Sequence, residues 1–342
     1  MHNSTWLFYA LGTDGDRKLN RRAIGIVSTL VGASLWGFSG TCSQYLLSNY
    51  AISSLFITMM RMLGSAALFL PIIAIRNRDA FSEIRADAKA LRRFALFGIG
   101  GLFGSQVTYV IAIGYTNAGT ATVLQSTSIV LIMLVTCLLA RRLPRPLELI
   151  GLVLAFSATV LIATQGDLSG LHLPAMGLFW GLVSAVAATG YSMLPKPLYP
   201  RWGSFTVVGI GMAIGGCAAA LVWALAFAFP GIDAVASGGN AMGSALIPAL
   251  DAMGIATLVV IIVVGTFGAF YLFLNGISMV GAVQGSQLGA IEPVSATVCS
   301  AVLMGTAFSI PDWIGLALMV FTIILVAAGG GSGEKTAKNS NL

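Results

Sequence analysis

Ten runs of apolar residues, most of them close to twenty residues long, alternate along this chain of 342 residues with charged or Gly- and Pro-bearing connections. An α-helix needs about 20 such residues to cross roughly 30 Å of hydrocarbon. In lipid only helices and closed barrels satisfy every backbone N–H and C=O. A barrel would be written as alternating segments of about ten residues, and these runs do not alternate. They predict helices at 23–46, 51–75, 94–113, 119–140, 147–164, 175–195, 204–229, 253–275, 282–306 and 312–328. Charged residues make up only 9% of the chain, against about 25% in soluble domains, too few to cover a water-facing surface. The fold class is therefore an all-α integral membrane protein.

The net charge of +6 would suit a nucleic-acid partner, but the placement of the charges speaks for topology instead. Of the 18 Lys and Arg, all but Arg61 fall on one side: Arg17 to Arg22 before span one, Arg76 to Arg93 after span two, Arg141 to Arg145 after span four, Lys196 and Arg201 after span six, and Lys335 and Lys338 in the tail. The opposite loops carry Asp167, Asp233, Asp251 and Asp312 and no Lys or Arg. The positive-inside rule then places both termini in the cytoplasm of a multi-pass cell (plasma or inner) membrane protein and requires an even number of spans. Trp6 to Leu11 is short and leads into Asp14, Asp16, Arg17 and Lys18, which is not the layout of a cleavable signal. The long loop at 230–252 is expected outside, with an interfacial turn near Leu246 to Leu250.

The chain also repeats itself. Residues 108–129, TYVIAIGYTNAGTATVLQSTSI, align without gaps to 270–291, FYLFLNGISMVGAVQGSQLGAI, pairing Tyr109 with Tyr271 and Gln125 with Gln287. The helix opening at Gly151 resembles that at Gly315 after a shift of two residues. Each half holds five spans, and an odd number forces the second half upside-down relative to the first. The expected domains are a cytoplasmic segment 1–22, a first repeat 23–164, a second repeat 175–328 and a cytoplasmic tail 329–342. Inverted repeats place a substrate site near the midplane, between the halves.

Two charged residues lie deep in hydrocarbon, Arg61 in span two and Glu292 in span nine. A charge at the bilayer centre costs at least about 2.5–3.5 kcal/mol, so each must face the bundle interior. Each could bind a substrate or proton, or form a fixed tether. Pro293 follows Glu292 and cannot donate to the carbonyl of Gly289, which predicts a helix break with polar backbone beside a cavity. Span four opens with Thr120, Thr122, Gln125, Ser126, Thr127 and Ser128, and span nine with Gln284, Ser286 and Gln287. Hydroxyls can satisfy themselves on the preceding turn. Gln amides cannot do so as easily, so Gln125 and Gln287 are expected to line the cavity. Trp36, Tyr109, Trp180 and Tyr271 lie within spans and need partners there; each is a substrate-site candidate or a core residue. Tyr191 lies nearer an interface. Gly209, Gly211, Gly215 and Gly216 in span seven read as a close-packing stripe.

Other chemistries lack their residues. The tail GGGSGEKT misses the glycine-lysine step of a phosphate loop, and no HExxH or nucleophile elbow occurs. Cys42, Cys137, Cys217 and Cys299 sit singly in apolar runs and read as packing thiols. No metal, no cofactor and no nucleic-acid partner is expected, and the chain reads as no enzyme.

The segments AIGYTNAGTATVLQ, GTFGAFYLFLNGISMVGAVQGSQLGAIEPVSA, LELIGLVLAFSATVLIAT, PDWIGLALMVFTIILVAA and WGFSGTCSQYL with Arg61 resemble the drug/metabolite transporter superfamily, in its EamA-type ten-helix branch. The resemblance covers about residues 23–328, and the Glu292-Pro293 step is its most specific piece. It implies ten helices as two inverted EamA repeats, a cavity lined by spans one, three, four, six, eight and nine, and traffic in amino acids, nucleosides or other small metabolites. One departure is Arg141-Arg142-Leu143-Pro144, where the family's first repeat commonly carries Gly-Glu. The expectation is a secondary transporter of small polar, amino-acid-like metabolites, working outward by alternating access. Its partners are a small-molecule substrate and the lipid bilayer; monomer and homodimer both stay open. The alternatives are an integral membrane enzyme, a lipid-handling protein or a channel.

Overall fold

The computed structural model describes residues 14–167, 171–236 and 245–339. It contains eight helices long and apolar enough to cross a membrane and two shorter apolar ones, and among the described residues there is no strand. Span one is Asp14–Asn49, span two Ser54–Arg76, span five Pro146–Thr164, span six Ala175–Met193, span seven Tyr199–Ala228 and span ten Ile310–Asn339. Gly203, at φ 73°, kinks the start of span seven, one residue before the predicted opening. Span ten runs as helix through the GGGSGEKT segment, which therefore forms no loop. All four cysteines are free.

The other four spans are broken, and in matching ways. Span three joins Ala88–Ala95 and Gly104–Tyr115 through a π-helical stretch, Leu96–Phe103. Span eight joins Ala252–Ile262 and Ala269–Val280 through another, Val263–Gly268. Span four is Ala118–Ser126 and Ser128–Leu139, hinged at Thr127; span nine is Ala282–Gly289 and Ile291–Met304, hinged at Ala290. Pro293 thus lies in the first turn of the second piece of span nine, where a missing N–H costs little. Span four breaks without any proline.

Packing obeys an exchange of halves. Span one packs on spans eight and nine, as span six packs on spans three and four. Spans two and seven pair, and so do five and ten. Small residues permit the close contacts. A Cβ at Gly209 would meet Phe69, and one at Gly215 would come within 2.4 Å of the Gly98 carbonyl, so the span-seven stripe is a packing surface against spans two and three. The helix openings at Gly151 and Gly315 also correspond. Glu148 accepts from the Arg145 N–H at 2.7 Å, and Asp312 from the Ser309 N–H at 2.9 Å.

Two loops differ from expectation. The stretch 76–93 holds a helix, Ala80–Ala86, and span three already starts at Ala88 because Asp87 accepts the N–H groups of Lys89 and Ala90. Among the described residues of the 230–252 loop, Pro230–Ala236 is a helix. Leu246 to Leu250 is irregular chain, held by Trp223 donating to the Leu246 carbonyl at 2.8 Å.

Candidate functional site

A cavity of about 200 Å³ lies between two groups of spans, one/eight/nine and six/three/four. The first group, with span two, supplies Trp36, Arg61, Phe270 and Glu292. The second supplies Ser105, Gln106, Tyr109, Gln125, Ser126, Ser128, Tyr191 and Ser192, with Leu102 and Ala188. Both charges therefore stand on one wall, while neutral hydroxyls and amides form the other.

Arg61 is 3% exposed and fixed by hydroxyls from two other spans. Its Nε donates to Thr266 Oγ1 at 3.3 Å and its Nη2 to Ser39 Oγ at 3.4 Å. The third nitrogen, Nη1, is buried with no hydrogen-bond partner, and so is the indole Nε1 of Trp36. Arg61 and Trp36 both line the cavity, and each keeps one buried N–H donor without a partner, at a cost of about 1–3 kcal/mol apiece. Glu292 sits in the first turn after the Ala290 hinge, where unpaired backbone N–H groups favour negative charge. Among the described residues neither Arg61 nor Glu292 enters an ion pair within 4.0 Å. They are opposite charges facing one space, not a salt bridge.

Aromatic rings frame this wall. Trp36 meets Phe270 at 4.9 Å and Phe273 at 4.5 Å, and Tyr191 meets Phe270 edge-on at 6.2 Å. Across the cavity Gln125 Nε2 donates to Ser105 Oγ at 3.3 Å. Tyr109 bonds Thr122 Oγ1 at 2.7 Å; the single Thr122 proton goes to the Ala118 carbonyl at 2.7 Å, so the phenol is the donor.

Of the residues expected from sequence, the cavity brings together Trp36, Arg61, Tyr109, Gln125 and Glu292. Trp180, Tyr271 and Gln287 are not among its lining residues. Trp180 packs beside Phe179, Leu55 and Ile111. Tyr271 is 42% exposed and turns away to stack on Phe267. Gln287 lies on the short piece Ala282–Gly289, which packs on spans one, eight and ten. The side chains of Gln284 and Ser286 fall outside the described residues. Sequence reasoning missed Ser105, Gln106 and Ser192, whose signal was hydroxyl and amide residues within apolar runs.

A model of the EamA-like transporter family matches residues 23–164 and 175–328. Among curated proteins, the chain is 32% identical over 303 residues to an uncharacterized inner membrane transporter, YicL, of Salmonella typhimurium, covering 89% of this chain and 95% of the relative. It is 24% identical over 323 residues to an uncharacterized transporter, YwfM, of Bacillus subtilis, covering 92% and 96%. A solved crystal structure superposes on 87% of this chain and 96% of its own with a TM-score of 0.57 and 18% identity, a likeness of fold alone.

Proposed function

This chain belongs to the EamA-like transporter family and is a multi-pass membrane transporter, and from that premise we propose that it moves small polar, amino-acid-like metabolites outward by alternating access between its two repeats. The observation that carries this reading is the unpaired Arg61 and Glu292 on one wall of a single cavity. A zwitterion would give its carboxylate to Arg61 Nη1 and Trp36 Nε1 and its ammonium group to Glu292. Each of these groups is costly in lipid when left uncompensated, so a solute bearing both poles stabilises all three together. Tyr109, Gln125 and Ser105 would then read the rest of the solute by hydrogen bonds. The lining reaches Ser192 in the last turn of span six, toward the Lys- and Arg-bearing end from which an exported solute would enter. In this reading the chain performs no catalytic step and resides in the cell membrane.

The test is flux. Purified protein in liposomes would be offered labelled serine, threonine, glutamine and uridine, each with and without a pH gradient. Transport of an amino acid that is blocked by its unlabelled form supports the reading. Movement of uridine alone, or of nothing in either orientation, overturns it.

A further inference from the structure

Span one also carries a buried amide, Gln44, about two turns beyond Trp36. It is 9% exposed and does not line the cavity. Its Oε1 accepts from the Ala118 N–H at 2.9 Å and from Ser300 Oγ at 2.7 Å, and its Nε2 donates to Thr306 Oγ1 at 3.0 Å. Ser300 and Thr306 hydroxyls lie 2.9 Å apart and close the ring. The local chain is built for this. Asn117 caps the Thr120 N–H of span four, while the Ala118 N–H, another first-turn group without a helical acceptor, is met by Gln44. Gly305, at φ 65°, ends span nine and returns Thr306 toward Ser300.

The ring joins spans one and four of the first repeat to span nine and the start of the span-ten connection in the second. It occupies the end of the bundle that carries Asp167, Asp251 and Asp312, whereas the cavity lining extends toward the Lys- and Arg-bearing end. Tyr109 connects the two places. It lines the cavity, and its hydroxyl bonds Thr122, which bonds the carbonyl of Ala118, whose N–H bonds Gln44. The same hydroxyl lies against Gly40, one turn before Gln44, where a Cβ would approach within 2.3 Å.

We propose that Gln44 is the latch holding the cavity closed on its Asp-bearing side, and that Tyr109 passes the state of the cavity to it through Thr122 and Ala118. This rests on the transport reading above. A solute leaves on that side only if the start of span four parts from spans one and nine, which breaks the Gln44 bonds together. Directional bonds shielded from water couple to one another, so the ring has two states, made or broken, and both the solute and the membrane-facing packing can bias it. Gln44 is a positioning residue, because it touches neither solute nor charge.

The experiment reads access, not transport. A full-length variant lacking the four native cysteines and carrying Ala188→Cys on the cavity wall would be labelled with an impermeant methanethiosulfonate from each side of oriented liposomes. Gln44→Met should raise the labelling rate from the Asp-bearing side at least about tenfold, the scale of one or two net hydrogen bonds, and lower it from the other side. Thr306→Val, which unmakes the ring from its half-buried end, should do the same and serves if Gln44→Met does not fold. Tyr109→Phe should give a smaller rise, with no addition on top of Gln44→Met in the double variant. An unchanged rate, or an equal rise from both sides, overturns the latch. Full additivity overturns the Tyr109 link. Side-specific opening without flux of any labelled solute leaves the latch standing and removes the transport reading; flux with unaltered access does the reverse.

Discussion

Gln125 and Gln287 occupy equivalent positions in the two repeats, yet of the two it is Gln125 that reaches the cavity, bonded there to Ser105. The repeats share a backbone plan without sharing chemistry at the site.

Gln125→Leu should therefore lower transport per folded molecule by roughly tenfold, the scale of one or two lost hydrogen bonds. Gln287→Leu should leave it within about twofold, the range of a surface change. Flux normalised to monodisperse protein decides the matter, and equal losses would place both amides in packing.

Glu292→Gln should fold with the yield of the parent. Arg61 keeps its anchors on Thr266 and Ser39, so no partner is orphaned. The variant weakens the proposed ammonium contact, so solute exchange should need higher solute concentrations; if Glu292 also carries the coupled proton, with Arg61, Tyr109 and Tyr191 facing the same cavity, accumulation driven by a pH gradient is lost as well. Exchange and accumulation like those of the parent would remove both the proton and the ammonium contact from Glu292 and leave it a supporting role.

Glu148 is 1% exposed and takes two 2.7 Å bonds from Arg142 besides the Arg145 N–H. Glu148→Gln keeps the volume but turns an N–H toward the guanidinium. The expected loss is about 1–3 kcal/mol, seen as a lower thermal midpoint in detergent with unchanged transport per folded molecule. An unaltered midpoint would show the pair to be solvated.

Outside the hydrocarbon, the Tyr50 hydroxyl at 2.5 Å, followed by the Gly254 N–H, holds the Asp251 carboxyl below its ordinary range. A depressed folded value contributes stability that is complete above the unfolded value, about 4, and is lost as pH falls through the folded one. The thermal midpoint should thus drop more steeply below about pH 4 in the parent than in Tyr50→Phe. Parallel curves would contradict this linkage.

Topology can be read at Gly231, which is exposed and has open space around a built Cβ. With the native cysteines removed, Gly231→Cys should react with an impermeant thiol reagent in intact cells. Reaction only after lysis would reverse the assigned orientation. Gly238, in the same loop, lies outside the described residues.

Most spans were legible because each apolar run has to match the hydrocarbon thickness, whatever its side chains do. What a run does not encode is which way a helix is turned. One residue rotates a side chain by about 100°, enough to take Tyr271 out to Phe267 while Tyr109 faces inward. The hinge of span nine carries a sequence mark in Pro293; that of span four, at Thr127, carries none. Gln44 was equally silent, since its role depends on Ala118, Ser300 and Thr306, distant in sequence and adjacent only once the halves pack.

The π turn at Val263–Gly268 winds one surplus residue into span eight, and Thr266 within it both donates to the Ile261 carbonyl, five residues back, and receives Arg61 Nε. If the surplus passed one position along the helix, the side chains it crossed would rotate by about 100°. Thr266 would swing away from the guanidinium while both ends of the span stayed where they are. The intramembrane cation is thus mounted in part on a screw thread: a quarter-turn of local rewinding is enough to free it from Thr266 and leave it on Ser39 alone, with no helix having to tilt or slide.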